Sequence, residues 1–354
     1  MVAMVENGLT IRGGPRAIVA LARPFSARQF GFRVLYGSHH RRGMNMYRTA
    51  SWIELILAGS VILSCSTSAD WQVQRSMPTA RSEMSAAYLD GQIYVPGGLG
   101  GPRKFEVYDV GSDTWRSLAN LPADRHHLMA VAHQGKIYVF GGADGDWSPT
   151  ATAWVYELAS DRWKTLASMP EPRYAGAAVS LHDYIYVIGG EGPSGKTLRY
   201  DPKEGLWTTL AATRVRREHT AAVAFERKIV VVAGRYRGQG ELNSVEIYDV
   251  DTDTWSDGPA LRTARGGHAA VVHEAQVMAF GGEVILGGRE TLADSEILDS
   301  LSGQWQMGVD LPVALHGMPV VSTGEALYIL GGSMRAGAAV NRGRVYRFVR
   351  QPPG

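Results

Sequence analysis

Short apolar runs that end in glycine dominate the chain after about residue 85. Examples are "KIYVFGG" at 136–142, "YIYVIGG" at 184–190 and "KIVVVAG" at 228–234, in which β-branched and aromatic residues predominate. Polar turns rich in Asp, Gly and Ser separate these runs from one another. Runs of this length and composition, bounded by turn residues, predict short β-strands. The pattern therefore predicts an all-β fold.

The apolar runs belong to a repeat with six copies. In five copies the run ends in a glycine pair, and Ala233-Gly234 stands in the remaining one. An Arg lies sixteen residues before the first glycine, with Leu315 in the sixth copy. A Tyr, once a Leu, follows each pair, and a Trp comes seven residues later in five copies. The repeated residues are Gly97, Gly98, Gly141, Gly142, Gly189, Gly190, Gly281, Gly282, Gly331, Gly332, Trp115, Trp163, Trp207, Trp255 and Trp305.

The two ends of the repeat region complete one unit. The sixth copy has no Trp after its Tyr346, whereas Trp71 precedes Arg81 by the usual ten residues without the rest of a repeat. We therefore predict a ring of six blades, each of four antiparallel strands, over residues 70–349. The strand around Trp71 would join the C-terminal blade, and closure would remove exposed sheet edges.

These motifs resemble the kelch-repeat β-propeller family. Glycine at the end of the second strand permits positive φ, and Trp and Tyr can pack between neighbouring blades. Among kelch proteins the chain is similar to the bacterial exported type, with a distant similarity to N-acetylneuraminate epimerase-like propellers. The resemblance implies that the arginines of the repeat could contact carboxylates of a ligand, as they do in kelch propellers that bind acidic peptides.

The N-terminal region has a different composition. Residues 1–64 contain eight arginines and two glutamates, so the rest of the chain is slightly acidic although the net charge is +2. This charge distribution does not indicate nucleic-acid binding. We expect residues 1–43 to be a non-structural extension upstream of the true start codon. Residues 44–65 resemble a bacterial lipoprotein signal peptide that ends at Cys65, the only cysteine.

This signal predicts an extracytoplasmic protein, in the bacterial periplasm or at the cell surface, that contacts the membrane only through a lipid on Cys65. Other export signals and an organelle transit peptide are the competing interpretations.

The candidate site is the face that carries the loops between the second and third strands, because only these loops vary in length. Arginines at the start of the innermost strands would line the channel mouth and attract an anionic group. The predicted ligand-binding residues are Arg81, Arg125, Arg173, Arg217, Arg265, His127, His219, Arg235, Glu191 and Glu283. Glu83 shares the side of the strand on which His127 and His219 lie.

Two functions follow from this expectation. The first is a non-catalytic module that binds a protein, peptide or glycan, with an anionic ligand favoured. The second is a sugar mutarotase or epimerase of the sialic-acid type, in which Glu or His would transfer a proton. We expect no cofactor and no metal site, since the ten histidines show no metal-binding motif.

One sequence motif suggests a different function, nucleotide binding. Residues Gly190–Thr197 satisfy the phosphate-binding pattern G-x-x-x-x-G-K-[ST]. In the repeat register, however, Gly190 is the second glycine of a pair, and Lys196-Thr197 lead into a predicted strand instead of a helix. We therefore predict no nucleotide binding.

Overall fold

The computed structural model describes residues 71–299 and 303–349, and three short strands between residues 4 and 20. The chain divides into two units, Met1–Ser64 and Cys65–Gly354. In the first unit, strands β1 (Met4–Val5), β2 (Gly8–Ile11) and β3 (Ile18–Ala20) form an antiparallel sheet. The β-branched residues of these strands favour extended backbone, and the expectation that residues 1–43 are an extension upstream of the true start codon stays a prediction. The predicted signal segment 44–65, with Cys65, lies outside the described residues.

The second unit contains six antiparallel four-stranded sheets, as predicted, which we number as blades 1 to 6. Blade 1 contains β5 (Ala87–Leu89), β6 (Gln92–Pro96), β7 (Phe105–Asp109) and β8 (Thr114–Ser117). Blade 2 contains β9 (Met129–His133), β10 (Lys136–Phe140), β11 (Ala153–Glu157) and β12 (Arg162–Thr165). Blade 3 contains β13 (Tyr174–Leu181), β14 (Tyr184–Glu191), β15 (Lys196–Asp201) and β16 (Leu206–Ala212).

The other three blades follow the same order. Blade 4 contains β17 (Ala221–Phe225), β18 (Lys228–Tyr236), β19 (Gly240–Asp249) and β20 (Thr254–Gly258). Blade 5 contains β21 (Ala269–His273), β22 (Gln276–Phe280), β25 (Ser295–Asp299) and β26 (Gln304–Met307). Blade 6 contains β27 (Val320–Ser322), β28 (Leu327–Leu330), β31 (Val345–Phe348) and the N-terminal β4 (Gln72–Gln74). Two small hairpins extend blades 5 and 6: β23 (Glu283–Val284) with β24 (Glu290–Thr291), and β29 (Ser333–Arg335) with β30 (Ala338–Asn341).

Blade 6 closes the ring as predicted. Strand β4 pairs with β31, so that Gln74 lies opposite Val345. The indole N–H of Trp71 donates to the Asp310 carbonyl of blade 5 at 2.8 Å. The other five repeat tryptophans make the same bond to the preceding blade: Trp115 to Arg75, Trp163 to Ala119, Trp207 to Ala167, Trp255 to Ala211 and Trp305 to Pro259. Trp71 thus performs in blade 6 the structural role that its counterparts perform in the other blades.

A central channel runs between the innermost strands. Each of these strands contacts its neighbours on both sides, and the last of them, β27, contacts β5. Alanines from these strands line a channel of about 200 Å³, as the small residues of the repeat predict. Larger apolar side chains pack between the blades, where Ile93, Val139 and Ile229 are fully buried. Among the described residues, no helix is long and apolar enough to span a bilayer.

The phosphate-loop pattern is part of this architecture. Lys196 and Thr197 begin β15, which confirms the predicted strand. The N–H of Gly190 donates to the Arg217 carbonyl of the next blade at 2.9 Å. The residues of the pattern therefore have structural roles in blade 3.

Candidate functional site

The repeat arginines do not line the channel mouth. Arg81, Arg173, Arg217 and Arg265 are fully buried, and Arg125 is nearly so. The Arg265 guanidinium donates to the carbonyl of Gly281 at 2.8 Å, sixteen residues away, and Arg81 binds Gly97 in the same way. Four of the five arginines bond to the carbonyl at this position, which explains their constant spacing, because the side chain holds the glycine turn of its own blade. The prediction that free arginines form the site is therefore corrected.

A carboxylate in the third strand neutralises the repeat arginine in blades 1, 4 and 5. Arg81, Arg217 and Arg265 pair with carboxylates that stand two residues before the repeat Tyr or Leu, namely Glu106, Glu246 and Glu296, at 2.7–2.8 Å. Blade 3 has Leu198 at this position, and Arg173 instead pairs with Glu171 at 3.1 Å. In blade 2 the position is Trp154, and Arg125 lies over its ring at 5.3 Å. Buried charges require such partners, so removal of one partner of a pair should destabilise its blade.

The candidate site is formed by residues two positions after each arginine and, in blade 6, two positions after Leu315. All six have a positive φ, between 48° and 61°, and they follow one another around the channel as Glu83, His127, Ala175, His219, Gly267 and Gly317. Their backbones form hydrogen bonds from blade to blade, for example from His127 N–H to the Glu83 carbonyl and from Ala175 N–H to the His127 carbonyl, both at 2.8 Å. The ring of backbone bonds turns the side chains at this position toward the channel mouth.

Three of these six residues carry ionisable side chains that the scaffold does not require. Blades 5 and 6 have glycine at the position, and blade 3 has Ala175. A non-glycine residue with positive φ costs about 1–3 kcal/mol. Glu83, His127 and His219 therefore occupy their positions at a cost to stability, which indicates a functional role.

Glu83 lies at the centre of a group of imidazoles. Its Oε2 atom is 3.2 Å from His127 Nε2 and 3.9 Å from His219 Nε2, and its Oε1 atom is 3.1 Å from His316 Nδ1. Burial alone would raise the pKa of Glu83, but the facing imidazoles hold that pKa well below its usual value. Glu83 is therefore a carboxylate at neutral pH.

The imidazoles around Glu83 differ in protonation. Burial lowers the pKa of His127 to about 4 and that of His219 well below its ordinary value. Burial also opposes protonation of His316, yet its close contact with the Glu83 carboxylate, together with the charge of Glu283, raises its pKa. His127 and His219 are neutral at pH 7, whereas the pKa of His316 lies above its ordinary value.

A second layer of polar groups holds these side chains. His126 Nδ1 lies 2.6 Å from His127 Nδ1, and the carboxylate of Glu218 contacts His219 Nδ1 closely. Arg235 bridges two acidic side chains, since its Nε donates to Glu218 at 2.8 Å and its Nη1 to Glu283 at 2.6 Å. The network joins blades 4 and 5 and fixes the ring nitrogens that face Glu83.

This network opens into a cavity of about 300 Å³ at the channel mouth. Tyr174 lines its wall, and the exposed side chains of Trp147 and Arg237 lie at its rim. Four carboxylates and two guanidinium groups line the cavity: those of Glu83, Glu191, Glu218, Glu283, Arg235 and Arg237. The cavity therefore has an excess of acidic groups, and the expectation of an anionic ligand stays a prediction.

Five of the predicted ligand-binding residues line this cavity together: His127, His219, Arg235, Glu191 and Glu283. Sequence reasoning missed His316, which immediately follows Leu315 as Glu218 follows Arg217. Comparison of this position across the six repeats would have revealed it, because it is Ser82, His126, Tyr174, Glu218, Gly266 and His316. This position also supplies Tyr174 and Glu218 to the cavity.

Comparison with known proteins agrees with the repeat pattern. The family profile described as "KLHDC2/KLHL20/DRC7 Kelch-repeats domain" matches residues 61–215, and the profile "Kelch motif" matches residues 216–262. Kelch-like protein 38 of Rattus norvegicus is 29% identical over 138 residues, which are 38% of this chain and 23% of that protein. Kelch-like protein 34 of Homo sapiens is 32% identical over 122 residues, 34% of this chain and 19% of that protein. The matched region therefore spans about a fifth to a quarter of these curated relatives.

A solved structure shows the same fold. "Structure of YjhT" superposes with a TM-score of 0.71 over 78% of this chain and 97% of its own, at 14% sequence identity. At this identity the likeness shows the six-bladed architecture and carries no information about the ligand.

Proposed function

This chain belongs to the kelch-repeat family, and we propose that it is a binding propeller that engages a protein, peptide or glycan at its channel mouth. One observation carries the proposal: three blades place an ionisable side chain at a positive-φ position that glycine or alanine fills in the others. Kelch propellers generally mediate protein interactions, and loops on a rigid scaffold commonly form the site. We propose that the protein acts outside the cytoplasm, because the segment that ends at Cys65 resembles a signal peptide.

The cavity favours a ligand that presents hydrogen-bond donors or a positive charge. Four carboxylates line it, and Arg235 already binds Glu218 and Glu283. Trp147 is 52% exposed at the rim and offers a flat apolar surface to a side chain or a sugar face. We propose that a donor group of the ligand enters toward Glu83 while its apolar part contacts Trp147.

Selection of ligands with a random peptide library and a glycan array, on the immobilised full chain, tests this proposal. Calorimetry then compares the enriched ligands on the wild type, Glu83→Gln and Trp147→Ala. We expect each variant to weaken binding at least tenfold, which corresponds to about 1.4 kcal/mol, because each removes one of the two proposed contacts.

Lys136→Ala is the matched control. This exposed residue begins β10 at the turn that follows β9, the end of the blade away from the mouth. The control should bind the ligands with unchanged affinity. Ligands that bind both mouth variants as well as the wild type, or a selection without any ligand that depends on Glu83, would refute the proposal.

A sugar mutarotase is the second candidate, and one observation favours it. The cavity contains two carboxylate–imidazole pairs, Glu83 with His127 and Glu218 with His219. Exchange of sugar anomers needs one group that donates a proton and another that accepts one, and such pairs can supply both. Of the two cavity guanidiniums, that of Arg237 is the exposed one and could hold a sugar carboxylate.

Magnetisation exchange between the anomers of N-acetylneuraminic acid, followed by NMR, tests this second function. A mutarotase should accelerate exchange, and Glu83→Gln should reduce the acceleration at least tenfold because it removes a carboxylate of the proposed proton-transfer pair. Exchange at the uncatalysed rate in the presence of the wild-type chain would exclude activity on this sugar.

A further inference from the structure

We propose that Glu83, His127 and His219 form a binding site for a divalent transition-metal ion of the zinc type. Imidazole nitrogen and carboxylate oxygen are the donors such ions prefer, and two histidines with one glutamate leave coordination positions for an outside ligand. These positions would face the cavity at the channel mouth. The inference goes beyond the proposed binding function, because it concerns an ion that the chain itself would hold. This ion would compete with the donor group of the proposed ligand for Glu83 Oε2.

The spacing of the donor atoms is close to what an ion requires. Each of the three residues offers one donor atom, and these atoms lie within 4.8 Å of one another. Tetrahedral ligands at about 2.0–2.1 Å from zinc lie about 3.3 Å apart. The distance from His127 Nε2 to Glu83 Oε2 is already 3.2 Å, and that from His219 Nε2 is 3.9 Å. Small side-chain rotations suffice to complete the triangle.

Hydrogen bonding determines which nitrogen of His127 faces Glu83. His126 Nε2 lies 3.1 Å from the Asp144 carbonyl, which can only accept, so a neutral His126 carries its proton on Nε2. Its Nδ1 atom is then an acceptor, and the neighbouring Nδ1 of His127 must donate to it. The Nε2 atom of a neutral His127 is left with a lone pair directed at the Glu83 carboxylate.

A different contact leaves the Nε2 atom of His219 without a proton as well. Its Nδ1 atom contacts the Glu218 carboxylate, which accepts the Nδ1 proton. Its Nε2 lone pair therefore also faces Glu83 Oε2. Carboxylate–histidine–metal arrangements in proteins fix the ligand nitrogen in this way.

Three donor atoms from three different blades thus converge on one point at the channel mouth. Glu83 Oε1 has a separate partner in His316 at 3.1 Å, which leaves Oε2 for the ion. No sequence motif predicts this site, since its ligands come from blades 1, 2 and 4.

Titration of the full chain with Co²⁺ and Zn²⁺ tests the site. The substitutions His39→Gln, His40→Gln and Cys65→Ser form the background, because these side chains could bind the probe ions independently. We expect one equivalent of Co²⁺ to bind with visible absorption bands of a nitrogen–oxygen site, and Zn²⁺ to displace it. Anomalous diffraction at the cobalt edge should place the ion between Glu83, His127 and His219.

Variants separate this site from adventitious binding. His219→Gln and Glu83→Gln should abolish the Co²⁺ spectrum, and Glu218→Gln, which removes the carboxylate that orients His219, should weaken binding about 10- to 100-fold. His182→Gln, at an exposed histidine in the turn between β13 and β14, should bind as the background does. No saturable binding in the background, or binding unchanged by His219→Gln, would overturn the proposal.

The test also distinguishes the metal site from the proposed function. A chain that binds its selected ligand in EDTA but never binds Co²⁺ refutes the metal site and leaves the binding function in place. A chain that binds Co²⁺ at Glu83 without any selectable ligand supports the metal site and refutes the binding function.

Discussion

Arg265→Leu is expected to lower the free energy of unfolding by about 3–5 kcal/mol, the usual cost of breaking a buried ion pair. The Arg265 guanidinium is fully buried and donates to Glu296 at 2.8 Å and to the Gly281 carbonyl. Glu296 has no solvent exposure. Loss of the arginine would leave this carboxylate without its cation in the interior. Urea unfolding followed by tryptophan fluorescence measures the change.

A second substitution identifies the buried charge as the cause. Arg265→Leu combined with Glu296→Gln should recover part of the loss, because Gln removes the charge and keeps an acceptor for one of the two backbone N–H groups, those of Arg262 and Thr263, that donate to Glu296. Arg227→Leu is the matched control, since its pair with Asp251 is mostly exposed, and it should cost less than about 1 kcal/mol. An Arg265→Leu variant as stable as the wild type would restore the arginines as candidates for ligand binding.

The fold was predictable because each repeated residue performs a local structural role. The tryptophans bond to the preceding blade, and the second glycine of each pair donates its N–H to the next blade. Gly141 shows why the pair is needed: its φ is 54°, and a Cβ atom there would lie 2.3 Å from the Arg173 carbonyl oxygen. Six copies of these constraints in one register define the ring and its closure.

The site was predictable only in part, because the most regularly repeated residues have structural roles and the residues of the site are not repeated. The regular spacing of the arginines suggested a ligand-binding role. This regularity instead reflects their structural pairing inside the blades. The residues two positions later vary between blades, and this variation is the useful signal. Glu83, His127 and His219 are 44 and 92 residues apart in sequence, so only the ring brings them together. Their protonation depends on burial and on His126 and Glu218, which no spacing rule provides.

Replacement of all three ionisable ring residues by glycine, Glu83→Gly with His127→Gly and His219→Gly, should abolish ligand binding while the propeller remains folded. The triple variant gives these blades the residue that blades 5 and 6 already have at Gly267 and Gly317. The blade-to-blade bonds at this position use backbone atoms only and would persist. Relief of the positive-φ strain is about 1 kcal/mol or more at each site, and the greater freedom of unfolded glycine offsets part of it.

The free energy of unfolding of this triple variant, measured in urea beside the wild type, is the most direct test of whether the cluster exists for function. If the three residues are retained for ligand binding, the triple variant should be as stable as the wild type, or more stable by up to about 3 kcal/mol. A loss of more than about 2 kcal/mol would contradict a functional role, since it would show that Glu83 and its histidines hold the ring together.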